Sequence, residues 1–129
     1  MQQLVFEAAW EKTIARKDRQ TIIRNFEQIL ATLPSTGVHF TLLKKAVNHR
    51  DDLLITVLIH NCNEKPLDFD RDVLQYRLDE QILARHTFHL PLKIAGKTSM
   101  PWTFIFPAGS YTEQALRVKG KLEIAARWV

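Results

Sequence analysis

Cysteine is almost absent from this chain: Cys62 stands alone among 129 residues. A single thiol makes no internal disulfide and no multi-cysteine zinc site, so the reducing cytosol is the expected compartment. Glycine is scarce too, and Gly37, Gly96, Gly109 and Gly120 lie too far apart to form a phosphate-cradling loop. No nucleophile elbow or HExxH occurs, so nucleotide chemistry and these hydrolytic motifs are not indicated. Long apolar runs are missing as well. LLITVLI at 53–59 falls well short of the roughly 20 residues that span a bilayer, and MQQLVFEAAW has neither the basic n-region nor the apolar h-region of an export signal. The expectation is a soluble, cytoplasmic chain.

What is present is a 46% apolar composition, enough for one core and one domain over 1–129. The net charge of +4 is unevenly spread: residues 81–129 hold seven Lys/Arg against two Asp/Glu. That excess could attract an acidic protein, an anionic lipid surface or nucleic acid, although a solvated basic face is the plainer reading.

The period of the apolar residues changes near Pro34. Before it, Phe6, Trp10 and Ile14, then Ile22, Phe26, Ile29, Leu30 and Leu33, recur at helical spacings. This predicts a helical arm over 1–33, made of two short helices or one bent helix, with Asp18 as the cap of the second. After Pro34 the period is two, with turn clusters at NHRDD, NCNEKP and Asp79-Glu80. Strand patterns follow at Val38–Leu42, Leu53–Ile59, Leu74–Leu78 and Ile82–Leu90, the last ended by Pro91. The fold class read from this pattern is α+β, mainly β: an N-terminal helical arm packed on an immunoglobulin-like antiparallel β-sandwich over 34–129.

Two strand patterns carry most weight. KTSMPWTFIFP places Trp102, Phe104 and Phe106 on one face and Thr103 and Ile105 on the other, with Pro101 and Pro107 expected at the strand ends. With Trp10 of the arm, these three rings are the expected structural core. Residues 115–128 show the longest alternation: Leu116, Val118, Leu122, Ile124, Ala126 and Trp128 inward, and Arg117, Lys119, Lys121 and Arg127 outward with Glu123. Read as one edge strand, this segment offers a basic binding row, whose lysines would also oppose self-pairing and keep the chain a monomer or weak dimer.

Candidate catalytic and metal groups are thin. His86 and His89 fall on opposite sides of a strand, and His39, His49 and His60 lie on separate segments, so no zinc set is indicated; His86, on an otherwise apolar face, reads as a core histidine. His60 and Cys62 could share a face, but no orienting group or oxyanion-hole signature accompanies them. Asp68, Asp70 and Asp72 resemble the start of a calcium loop, yet Val73 stands where glycine is needed. A solvated edge strand is the better reading. No cofactor, metal or small-molecule substrate is expected.

Three segments carry a family resemblance: LVFEAAWEKTI at 4–14 with KDRQTI at 17–22, LLITVLIHN running into PLDF, and HTFHLPLKIAGKTSMPWTFIFP at 86–107. Together they resemble the SLAP domain family of Gram-positive bacteria, named for the S-layer assembly protein of the accessory Sec system. The resemblance implies a noncatalytic protein-interaction domain whose partner is an accessory Sec component or a secreted client, in the cytoplasm or at the inner face of the membrane. The S-layer assembly protein itself carries a duplicated form of the domain, whereas this chain holds one copy. The alternative reading is a binder of nucleic acid or anionic membrane through Arg117, Lys119, Lys121 and Arg127.

Overall fold

LLITVLIHN, the least alternating strand candidate, sits at the centre of the molecule. A computed structural model describes the backbone of residues 1–127 and their side chains other than those of residues 90, 91, 126 and 127. In chain order the elements are β1 (Gln3–Leu4), α1 (Ala8–Thr13), α2 (Arg16–Ile29), β2 (Val38–Val47), β3 (Leu53–Asn61), β4 (Leu67–Leu78), β5 (Gln81–Ile94), β6 (Thr98–Phe106) and β7 (Lys121–Arg127). Short 3-10 turns lie at Leu30–Thr32 and Glu113–Leu116. The strands form two sheets, ordered β1-β6-β3-β2 and β5-β4-β7, antiparallel except for the parallel β1–β6 pair.

The four-stranded sheet is covered on both faces. One side of β3 presents Leu53, Ile55, Val57 and Ile59 to the second sheet, where with Phe104 and Phe106 of the neighbouring β6 they meet Phe69, Leu74, Tyr76 and Phe88. Its other side presents Leu58 to Ile22 and Phe26 of α2, with Leu4, Phe6, Trp10 and Ile14 packed around them. A strand buried on both faces has no polar side to alternate with, which is why LLITVLI reads as a continuous run. Phe104 and Phe106 are buried, whereas Trp102 packs half-buried at the margin of the inter-sheet core. Trp10 belongs to the separate cluster beneath the arm.

The arm is two helices, because Ile14 and Ala15 are extended between them. Asp18 does not cap the second: the cap position falls on Ala15, and Asp18 sits in the first turn of α2, where its charge still meets the positive helix end. Glu7 caps α1 by accepting from the Ala9 amide at 3.0 Å.

The prolines at 91 and 101 lie within strands, contrary to the sequence expectation, whereas Pro107 directly follows β6 as expected. The carbonyls of Lys97 and Ser99 accept from Gln3 and Val5, so alternation turns the nitrogen of residue 101 toward the same outer edge and away from β3. No ladder bond is lost there. Strand β5 likewise continues through residue 91 to Ile94, because residues 90–92 bulge opposite Phe69 alone.

Register shifts explain two further differences. An extra residue in β5 beside Tyr76–Arg77 brings Leu83 and Ala84 inward together and leaves Ile82 exposed. His86 is half-buried with its ring edge-on to Phe88 at 5.0 Å. Of the Asp68–Asp72 segment, Asp68 and Asp70 are exposed as expected, whereas Asp72 is buried where β4 enters between β5 and β7.

The largest departure concerns 115–128, which is not one strand. Glu113–Leu116 forms a 3-10 turn, Leu116 is exposed, and only Lys121–Arg127 pairs with β4. Side chains take the backbone groups that a longer strand would have offered to a neighbour. Tyr76 donates its hydroxyl to the Val118 carbonyl at 3.1 Å and accepts from the Gly120 amide at 2.6 Å. The Lys45 ammonium donates to the carbonyls of Ala115 and Val118. Trp128 lies outside the described residues.

Gly96 marks where the loops at one end of the sandwich touch. A β-carbon there would stand 1.9 Å from the Glu64 carbonyl oxygen, a backbone atom that cannot swing aside. Gly96→Ala is therefore expected to destabilise the fold by about 1–3 kcal/mol, read as a lower urea midpoint with an unchanged slope.

Candidate interaction surface

Sheet edges are where an antiparallel sandwich offers unpaired amides, and the four outer edges differ here. That of β6 is occupied by β1 over Thr98–Ser99, and Pro101 removes the next donor. That of β5 is met by the 110–112 loop, where Arg85 donates to Ser110 and Thr112 donates to Leu83 at 2.7 Å. The outer edges of β2 and β7 have no strand against them among the described residues. These two strands are neighbours across the sheets, on one side of the sandwich.

Apolar side chains on that side are incompletely covered. Val38, Phe40 and Leu42 of β2, and Val118 and Ile124 on the β7 side, are half-buried against the core. A cleft of about 560 Å3 opens there, with Val38, Leu67 and Ile124 inside and Asn63, Glu64 and Lys65 at its mouth. Lys45 of β2 bridges to the segment before β7, donating to the Val118 carbonyl with its ammonium over the Tyr76 ring. Sequence reasoning missed this side, because half-burial of an inward residue leaves no mark on a period-two pattern.

The basic residues expected in one row are divided. Arg117 pairs with Glu113 on the 3-10 turn, both of them exposed. Lys119 lies on the loop before β7 and Lys121 begins the strand opposite Arg77; with Asp79 they surround a shallow depression at the β4–β5 turn. Arg77 is engaged by Glu123 at 2.8 Å and by the Asp79 carbonyl at 2.6 Å. Burial works to raise the Glu123 carboxyl, but hydrogen bonds from Arg77 and Gln75 outweigh it and hold the group below its usual value. The backbone of residue 127 pairs opposite Asp72, while the Arg127 side chain lies outside those described. Among the described residues Lys119 and Lys121 make no ion pair. Of the two lysines of β2, Lys44 lines the cavity beneath the arm with Asp18, and Lys45 is engaged by the Ala115 and Val118 carbonyls.

The histidine and thiol do not form a reactive pair. His60 is fully buried with both ring nitrogens engaged, Nδ1 at 2.6 Å from Ser99 Oγ and Nε2 at 2.8 Å from Thr41 Oγ1. Ser99 Oγ also accepts from Gln2 at 3.1 Å. Burial, aided by the nearby His39, lowers the pKa of His60 to about 4. Burial pushes the Cys62 thiol up, which disfavours the thiolate that nucleophilic chemistry needs. Among the described residues no three His, Cys, Asp or Glu side chains converge as metal ligands. No helix is long and apolar enough to cross a membrane.

The family model for the SLAP domain matches residues 4–125. The chain belongs to the SLAP domain family. The match takes in the arm, both sheets and the start of β7, so the SLAP domain here comprises helical and sheet layers alike. A curated relative is the tRNA (uracil(54)-C(5))-methyltransferase of Pyrococcus horikoshii, 30% identical over 78 residues. That alignment covers 58% of this chain and only 18% of the methyltransferase. No solved structure matches.

Proposed function

We propose that this SLAP domain is a noncatalytic protein-interaction module serving accessory Sec secretion of surface proteins, with a Sec component or a secreted client as partner. The single observation that carries the reading is the family match over residues 4–125. The order β2-β3-β6 facing β5-β4-β7 supports an immunoglobulin-like sandwich, a scaffold that binds through edges and end loops and not through an enclosed reaction site. The uncommitted charges of Lys119 and Lys121 favour an acidic partner surface. Cytoplasmic placement, with access to the inner face of the membrane, follows from that role.

Calorimetric titration of the purified domain with the accessory Sec ATPase tests it. Stoichiometric binding is expected, weakened roughly tenfold or more by the pair Lys119→Glu and Lys121→Glu. The opposing result is no binding to the ATPase together with binding to DNA or acidic vesicles that falls steeply as salt rises. That outcome would replace a protein partner by a polyanion.

A further inference from the structure

Among the described residues the outer edge of β7 has no strand against it. Immunoglobulin-like sandwiches of about seven strands pair three or more strands on each face and join their edges through the last strand in the chain. Here β2, β3 and β6 stand as the first, second and fifth strands of that plan, and β5, β4 and β7 as the opposite face. The position beside β7, where the final strand of the plan would lie, has no strand among the described residues. It coincides with the side on which Val38, Phe40, Leu42 and Ile124 are half-buried and the 560 Å3 cleft opens.

We infer that an extended segment of a partner protein, apolar at alternate positions and acidic between them, pairs with the free edge of β7 and completes the sandwich. This rests on the protein-interaction reading above and names the form of the partner. A strand is the occupant that an edge demands, because only extended backbone supplies acceptors and donors at the spacing of the unpaired β7 groups. Its inward side chains would cover Ile124 and the β2 residues facing it. The acidic preference comes from Lys119 and Lys121 beside the start of β7, whereas the nearby Glu123 is already engaged by Arg77 and Gln75.

The other edges fit less well. Pro101 and β1 block β6, and the 110–112 loop and the bulge at residues 90–92 interrupt β5. Self-pairing through β7 would bring Lys121 of one copy against the basic flank of the other.

The test supplies the strand in cis. The full chain is extended after Val129 by a glycine-rich turn and eight residues alternating valine and glutamate. Two control chains carry a valine and lysine tail or a glycine and serine tail of equal length. The valine and glutamate tail is expected to raise Tm by about 5 °C and to slow amide exchange of β7 by roughly tenfold or more. The lysine tail should do less, and the glycine and serine tail nothing. Ile124→Lys, at a half-buried position, should abolish the gain.

Equal Tm values for all three tails would overturn the inference, as would β7 amides that already exchange as slowly in the parent as those of β3. A parent that sediments as a dimer with β7 protected would assign the edge to a second copy instead, also against it. No Sec component enters this assay, so its failure is distinct from failure of the binding measurement above.

Discussion

Replacing Phe104 by alanine is expected to remove about 3–5 kcal/mol of stability, a large part of the roughly 5–15 kcal/mol that holds a domain of this size together. Phe104 is buried on β6, yet its ring touches strands of both sheets: Phe40 of β2 at 6.2 Å, Phe69 of β4 at 5.9 Å and Phe88 of β5 at 5.2 Å. The Phe40 and Phe88 contacts are edge-to-face, the favoured arrangement of aromatic quadrupoles. Truncation therefore leaves a cavity bounded by three further rings, each held by its own strand and unable to collapse inward. Urea unfolding should show a much lower midpoint with little change in slope. A loss under about 1 kcal/mol would mean that the sheets are not joined through this ring.

Acid should destabilise the domain through His60. Its folded pKa of about 4 lies below the ordinary value of 6.5, so the unfolded chain binds the proton more readily. The stabilisation is present in full above about pH 6.5 and is lost as pH falls toward 4. Over that window the loss is on the order of 3 kcal/mol. The physical cause is first the burial of the ring and second the charge of His39 beside it. His60→Gln keeps an amide between the Thr41 and Ser99 hydroxyls and removes the titration. Its stability should vary less between pH 6.5 and 4.5 than that of the parent. Asp52 and Glu123, with lowered carboxyl pKa values, contribute acid sensitivity common to both proteins and at lower pH. Parallel stability curves for the two proteins would show that His60 is not the group responsible.

How much was legible in the chain varies with how each residue meets its neighbours. The rings of WTFIF announced their shared face because one side of β6 meets the other sheet and Ile105 opposite is left exposed. The Asp79-Glu80 reversal was equally plain, and Asp79 adopts the positive φ of 53° that such a tight turn favours. Residues 115–128 misled because apolar alternation is necessary for a half-buried strand and does not compel one. Lys45, about 70 positions earlier, and Tyr76 turn that segment by bonding its backbone. No local pattern carries such a contact. The four basic residues were sound as an inventory of charge, but the turn parts Arg117 from Lys119 and Lys121.

By itself the sequence determined the membership in its family, the change from helical arm to sheet near Pro34 and the aromatic face of β6, because periodicity and motif are local properties of side chains. Only the tertiary structure decided which strands became edges. It placed β4 in the centre, set Pro101 harmlessly on an outer edge, and left β2 and β7 side by side without a strand against them. Edge status depends on pairings between residues far apart in the chain, and a strand's own alternation tells which face is buried without telling which strands lie beside it.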